Sequence, residues 1–242
     1  MRDWNAVDIP DYLELKLKLK KKIPIYLDND ANMGALGESR YGAGRGIAYL
    51  VYVKIAVGIG AGFIINGNLY RGNTMAAGEM GHIVVKERGQ CICGNHGCLE
   101  TVASESAIVK DACEGKSLRA FYPDSTQTPA LKGSTDKVDI AKVLQAAQDN
   151  DEASQAALKN AGKWIGRALG TVINLLNPSM ILVDGDVIRK TDLVFEALHH
   201  SAQQSSLHAT WNGVEIKRCE LDNPVAFGAV ANVINFISSS HS

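Results

Sequence analysis

The sequence predicts an α/β protein, and three stretches carry that expectation. MILVDG at 180–185 is short, wholly apolar and closed by a glycine, the pattern of an interior strand in a parallel sheet. Leu158, Ala161, Trp164, Ile165, Ala168, Leu169, Val172 and Ile173 fall on one face of a helix over 151–176. IAYLVYVKIAVGIGAGFIING at 47–67 is rich in β-branched residues and glycine, and reads as two buried strands joined at Gly58–Gly60. Such mixing within 242 residues marks an α/β architecture, as one large domain or two small ones.

The other elements follow in order. Residues 9–22 set two signals against each other. Leu13, Leu15, Leu17 and Leu19 alternate with charged residues, a period of two that favours a strand. Leucine and lysine are good helix formers, however, and IPIYLD at 23–28 is the better strand, so we read a helix and then a strand. Asp30 to Tyr41 reads as a short helix opening at the end of that strand. After the two strands of 47–67 come a short strand at His82–Lys86, a cysteine loop and a helix over Leu99–Cys113. Residues 114–136, rich in Ser, Thr, Pro and Gly, form a long loop. Helices follow near 138–148 and over 151–176, the second stopped by Asn177-Pro178. After the 180–185 strand, a helix near 190–205, a strand at Val214–Cys219 and a helix from Pro224 to about Ile237 complete the chain.

Composition narrows the function. Hydrophobic residues make up 46% and charged residues 21%, ordinary for a globular protein. A net charge of −1 gives no reason to expect a nucleic-acid or membrane surface. The lysine run at 16–22 is the local exception and reads as a solvated helix face. Lys54 near the centre of the apolar 47–67 run would cost a spanning helix about 2.5–3.5 kcal/mol, which argues against a membrane segment. No apolar secretory region is visible at the N-terminus, so a cytoplasmic protein is expected.

Three of the five cysteines lie within eight positions, in GEMGHIVVKERGQCICGNHGCLE at 78–100. In a reducing compartment a metal is favoured over a disulfide for such a cluster. Zinc takes four soft or borderline ligands in a tetrahedron. Cys91, Cys93 and Cys98 supply three thiolates, and Gly94 and Gly97 let the loop fold tightly. His82 is the natural fourth ligand and His96 its competitor. Cys113 and Cys219 stand apart and read as core fillers.

Gly78-Glu79-Met80-Gly81-His82 followed by Cys91-Ile92-Cys93-Gly94-Asn95-His96-Gly97-Cys98-Leu99-Glu100 resembles the signature of the ROK family (repressors, open reading frames and sugar kinases). Asp28-Asn29-Asp30-Ala31-Asn32 is similar to that family's Asn-Asp motif, Gly58-Ile59-Gly60-Ala61-Gly62 to its glycine-rich phosphate loop, and Asn174 to Gly185 to its nucleotide-side strand. The resemblance runs from about Trp4 to the last helix. It implies an actin-like ATPase (RNase H-like) α/β fold with a sugar cleft and a structural zinc loop. Residues 1–45 then match the end of an N-terminal lobe and 46–242 the C-terminal lobe.

It also implies that His82 holds zinc through one ring nitrogen and faces a sugar hydroxyl with the other, while Glu79, Glu100, Asn29 and Asp30 accept hydrogen bonds from further hydroxyls. With four protein ligands such a zinc is closed, a positioning device and not a Lewis acid. In a kinase of the family the residue matching Asp30 is the general base. Asp30 is also well placed to begin the helix at Ala31, and the two roles are compatible.

The family's kinases open with an Asp-x-Gly-x-Thr phosphate turn, which this sequence lacks. Val57 offers no hydroxyl within Gly58, Gly60 and Gly62, the remnant of a phosphate loop, and Asp184-Gly185-Asp186 replaces the Gly-Gly expected near adenine. The resemblance therefore favours the sugar-sensing effector portion of a transcriptional regulator. That reading implies a small-molecule sugar as ligand, a homodimer, and DNA bound only through a domain outside this chain. The alternative is an ATP- and Mg2+-dependent sugar kinase whose first lobe lies outside the chain, with Asp30 as base. A zinc-stapled scaffold without a ligand is the third reading.

Overall fold

The computed structural model describes residues 8–17, 23–114 and 138–239. Its centre is a five-stranded sheet, β1 (Leu50–Ile55), β2 (Ile59–Ile65), β3 (Asn68–Tyr70), β4 (Met180–Asp184) and β5 (Glu215–Arg218), in the order β3-β2-β1-β4-β5. β1 pairs antiparallel with β2 (Val53 opposite Ala61) and parallel with β4 (Val51 opposite Ile181). β4 pairs parallel with β5, so the apolar run at 180–184 is the interior parallel strand that its composition implies.

Both faces of the central strands are covered. Alternate residues Val51, Val53, Ile55, Ile181 and Val183 enter the larger core, which contains Leu158, Ile165, Leu169 and Ile173 of the long helix α6 (Glu152–Leu176). It also takes in residues of α4 (Glu105–Glu114), α5 (Ile140–Gln148) and α8 (Asp192–Ser205). Their neighbours Leu50, Tyr52, Met180 and Leu182 point the other way, onto α2 (Asp30–Tyr41), which in turn packs on α10 (Pro224–Ser239). Each fully buried Leu or Ile removes enough apolar surface to contribute about 1.5–3 kcal/mol. Short helices α3 (Glu100–Ala103), α7 (Asp186–Arg189) and α9 (His208–Trp211) complete the list after α1 (Ile9–Leu17).

Several expectations change. Helical propensity wins over the period-two leucines across 9–17, while 18–22 and the 115–137 part of the loop lie outside the described residues. IPIYLD is extended but pairs with no strand among the described residues; Tyr26 instead stacks on Phe236 of α10 at 4.2 Å. The stretch expected as a strand at 82–86 begins as a 3-10 turn, Met80–His82, and keeps only one isolated bridge, Val84 to Cys98. The single helix expected over Leu99–Cys113 breaks at Ser104, whose extended backbone (ψ 161°) and hydroxyl, which accepts from Ala107 N–H, restart it as α4. β3 was not expected. Asn66 and Gly67, at φ 53° and 75°, make the tight turn that folds it back on β2. Asn177, left-handed at φ 45°, ends α6 as anticipated. Cys113 and Cys219 pack at the edges of the two cores. Among the described residues no helix is long and apolar enough to cross a membrane.

A buried polar network ties the sheet to α2 and α10. Glu38, fully buried on α2, accepts the N–H groups of Ala43 and Leu221, both at 2.9 Å. Asp184, 7% exposed, accepts from Tyr52 Oη (2.8 Å), Arg189 Nε (2.7 Å) and Gly185 N–H (2.8 Å). Burial, and then the Asp184 charge, pushes the Tyr52 hydroxyl far above its ordinary range. Burial followed by Glu38 does the same to the Cys219 thiol.

Two outcomes follow from this packing. A Cβ at Gly62 would lie 2.4 Å from the Ala31 carbonyl oxygen, so Gly62→Val forces α2 off the sheet and costs about 1–3 kcal/mol in a denaturant titration. The native state also keeps the Cys219 and Tyr52 protons that an unfolded chain releases near the ordinary values of 9.0 and 10.0. Stability therefore falls as pH rises through that window. Urea midpoints at about pH 8 and about pH 10.5 measure the loss, and Tyr52→Phe shows a smaller drop over the same interval.

Candidate metal centre and adjoining cleft

The site is assembled around β2. Past the end of short β3, the outer edge of β2 is taken by the segment at 78–82, where Ala61 N–H donates to Gly78 O at 2.8 Å. Gly78, at φ +98°, comes so close that a Cβ would lie 1.9 Å from the Ala61 oxygen. Gly81 stands likewise against Ile59, where a Cβ would be 2.3 Å from its oxygen. No residue with a side chain fits either position. The two glycines seat the 3-10 turn that carries Glu79 and His82.

The chain then runs out and returns as a tight loop. Gly94 N–H bonds Cys91 O at 3.0 Å, Cys91 N–H bonds Asn95 O at 2.9 Å, and Leu99 N–H closes on Ile83 O at 2.8 Å. Gly97 has φ +74° and would place a Cβ 1.7 Å from Lys86 O, so the return requires glycine.

This folding brings one atom from each of His82, Cys91, Cys93 and Cys98 within 4.8 Å of one another. His82 Nδ1 stands 3.5 Å from Cys91 Sγ, and Cys93 Sγ 3.7 Å from Cys98 Sγ. Zinc–sulfur and zinc–nitrogen bonds of about 2.3 and about 2.0–2.1 Å give tetrahedron edges of about 3.8 Å between sulfurs and about 3.6 Å between sulfur and nitrogen. The four side chains can hold a metal ion such as zinc. His96 is exposed and outside the group, so His82 is the fourth member.

Without a cation the arrangement is costly. Burial and then the adjacent thiols push Cys98 up to about 12, while the Asn95 N–H draws the exposed Cys93 downward. A bound divalent ion reverses that logic and deprotonates its thiol ligands.

With Nδ1 toward the sulfurs, the other ring nitrogen of His82 faces Glu79, whose Oε2 lies 3.9 Å away. Glu100 opens α3 directly after the loop. Its Oε2 accepts a long 3.4 Å bond from Ile59 N–H and would lie 3.0 Å from a Cβ at Gly58. Asn29 caps α2, its Oδ1 accepting from the N–H groups of Ala31 (2.8 Å) and Asn32 (3.3 Å). Asp30 is 56% exposed and pairs with Lys54 Nζ at 2.6 Å.

The glycines of the 58–62 loop find packing reasons. Gly58 abuts Glu100, a Cβ at Gly60 would press on Ala31, and Gly62 lies beneath α2. Sequence reasoning did not anticipate Lys54 against Asp30, nor Arg71, which grips Asp28 through Nε (2.9 Å) and Nη2 (2.6 Å). Lys54 was visible as the one charge inside an apolar strand, a pattern that marks a residue near the end of a strand facing a site.

The chain matches the ROK family over residues 3–235. It is 30% identical over 235 residues to the xylose repressor of Bacillus subtilis, covering 96% of this chain and 55% of the repressor. It is 34% identical over 223 residues to the glucokinase of Halalkalibacterium halodurans, covering 91% of this chain and 65% of that enzyme. Among solved structures it is similar to a ROK family glucokinase from Streptomyces griseus in complex with glucose and AMPPNP. The TM-score is 0.78 at 28% identity, over 96% of this chain and 73% of the glucokinase. The actin-like ATPase α/β fold expected from the motifs is thereby borne out. The chain spans little more than half the length of the xylose repressors that it matches.

Removing one thiol leaves an incomplete tetrahedron. Cys93→Ser is expected to lower zinc content, measured by elemental analysis of dialysed protein, and to lower the melting temperature, since a structural ion contributes folding free energy directly. His96→Ala is expected to change neither.

Proposed function

We propose, from the premise that the chain belongs to the ROK family, that it is the sugar-sensing, effector-binding portion of a transcriptional regulator. Its ligand is a sugar or sugar derivative held beside a structural zinc. The zinc, gripped by His82, Cys91, Cys93 and Cys98, acts as a staple: it fixes His82 and the backbone on either side of the loop. Glu79 and Glu100 then offer carboxylate oxygens to hydroxyl donors, and His82 its second ring nitrogen. Charge-assisted bonds of this kind are roughly twice as strong as neutral ones and suit a polyhydroxyl ligand. Asn29 and Asp30 complete the set from the start of α2.

The observation that carries the choice of sensor over enzyme is the 2.6 Å contact between Lys54 and Asp30. A general base needs a carboxylate oxygen open to the proton that it takes, and here Lys54 Nζ already donates to Asp30 Oδ2. Two further features support the reading. Val57, 76% exposed at the hairpin turn, offers no hydroxyl to a phosphate. Asp184 and Asp186 set carboxylates where a nucleotide would approach, and both are already bonded, to Arg189 and Lys190. Phosphoryl transfer depends on cationic groups free to meet the phosphates, and Lys54, Arg189 and Lys190 at this end of the sheet are each paired with an aspartate.

The kinase reading is favoured by the 34% identity to a glucokinase. Calorimetry separates the two. The protein is expected to bind a hexose or pentose with no nucleotide present, and Glu100→Gln to weaken that binding by about tenfold, the loss of one charge-assisted hydrogen bond, with zinc content unchanged. Steady turnover of ATP in the presence of the bound sugar would overturn the sensor reading.

A further inference from the structure

A groove between α6 and α8 shares no residue with the His82–cysteine group or with the acids beside it. Gly162, Gly166 and Gly170 recur at every fourth position of α6, and α8 presses directly onto them. A Cβ would lie 2.6 Å from Val194 O at Gly162, 2.3 Å from Leu198 O at Gly166 and 2.5 Å from Ser205 Cβ at Gly170. The contacts advance together along both helices, so these run parallel and in near backbone contact. Side chains flanking so close a seam must converge.

Asn160, Lys163, Trp164 and Arg167 of α6, with His200 and Gln204 of α8, line a cavity of about 380 Å³. Every polar side chain among these six can donate hydrogen bonds, and no carboxylate is in the lining. Arg167 lies 5.1 Å from the centre of the Trp164 ring, which orders its guanidinium through the aromatic face. Among the described residues neither Lys163 nor Arg167 forms an ion pair. The nearest acid in the hydrogen-bond network is Asp111, which accepts from Asn160 Nδ2 at 3.4 Å at one end. Ser201 is spent on Lys163 O at 2.8 Å and closes the floor.

Two cations with no ion pair among the described residues, two carboxamides and an imidazole around one small space select an anion with several acceptor oxygens. Guanidinium and ammonium together match a tetrahedral oxyanion. The volume is at the low end of small-molecule pockets, so the ligand is a metabolite and not a polymer. We propose that this groove binds a phosphorylated small molecule, with its phosphate ester between Lys163 and Arg167. The site is separate from the sugar cleft and stands whether or not the sensor reading holds.

Titration of the 242-residue protein with inorganic phosphate, a hexose 6-phosphate and the free hexose, at fixed ionic strength in potassium chloride, tests it. The hexose phosphate is expected to give saturable heat and a change in Trp164 fluorescence. The paired change Lys163→Gln with Arg167→Gln weakens it at least tenfold, while Lys217→Gln, the loss of a cation outside the groove, leaves it unaltered. Trp164→Phe removes the fluorescence change and keeps the heat. Both cations are exposed, so the pair is expected to fold; His200→Gln provides a second, milder variant with a smaller loss. Inorganic phosphate binding as tightly as the ester supports the site with phosphate alone as ligand. Absence of saturable binding, or equal binding by the paired variant, overturns the proposal.

Discussion

Backbone contact along β2 is the constraint on which the rest of the structure depends. On one face, Ala31 and Ala35 of α2 lie against Gly60 and Gly62, which offer no side chain of their own. Along the free edge, Gly78 and Gly81 lie against the carbonyls of Ala61 and Ile59. Side chains at these four positions would separate three segments that belong to no single element. The N-terminus of α2 would lose its place beside Lys54, and the 3-10 turn would no longer present Glu79 and His82. The same contacts also cover a strand edge that β3, three residues long, leaves open.

A cation bound by His82, Cys91, Cys93 and Cys98 would do what side-chain packing does elsewhere. Between Ile83 and Leu99 the loop buries little apolar surface, and its only ladder contacts among the described residues are two isolated bridges, Val84 to Cys98 and Gln90 to His96. Segments of that kind hold no fixed shape through the hydrophobic effect alone. Four candidate ligand atoms within 4.8 Å of one another would provide the missing constraint on binding a metal ion. Because Cys98 is followed at once by Leu99, fully buried, and Glu100, fixing the loop also fixes the start of α3. The carboxylate of Glu100 is thus held from both sides, by the loop and by the Gly58–Ile59 turn.

Much of this was legible because its physics is local. The long helical face of α6, the apolar β4 and the cysteine–glycine spacing all depend on nearby residues. The types and spacing of the side chains pointed to the three cysteines with His82 or His96, and the fold brings His82 to the group that could hold a metal. What failed was non-local. IPIYLD has strand composition, yet a strand requires a partner, and none of the described segments supplies one. The stretch after His82 has strand composition too, but Gly78 and Gly81 dock its start as a turn. β3 is the instructive miss. Asn66-Gly67 is a strong tight-turn signal, and it was absorbed into the reading of the preceding apolar run. The Lys54–Asp30 pair joins positions 24 apart across two elements, and only the register of β1 against α2 reveals it.

That pair has a consequence for how such a fold changes its use. A cleft built for phosphoryl transfer and one built only to recognise a sugar need the same hydroxyl acceptors, so Asn29, Glu79, His82 and Glu100, in the roles proposed above, would not distinguish them. The difference must lie where charge develops during reaction. At the hairpin turn this chain carries an aliphatic side chain, Val57, and at the end of β1 an ammonium that occupies the carboxylate of Asp30. Asp184 is committed to Tyr52 and Arg189, so the end of β4 is spent on holding α7 and the approach to α10. Through Arg189 Nη2 on Leu221 O, and Glu38 on Leu221 N–H, the same residues connect the sheet to the helix packed on α2. These groups are part of the frame that links the sheet to the outer helices. If the chain serves as the sensor proposed above, that is the more useful place for them.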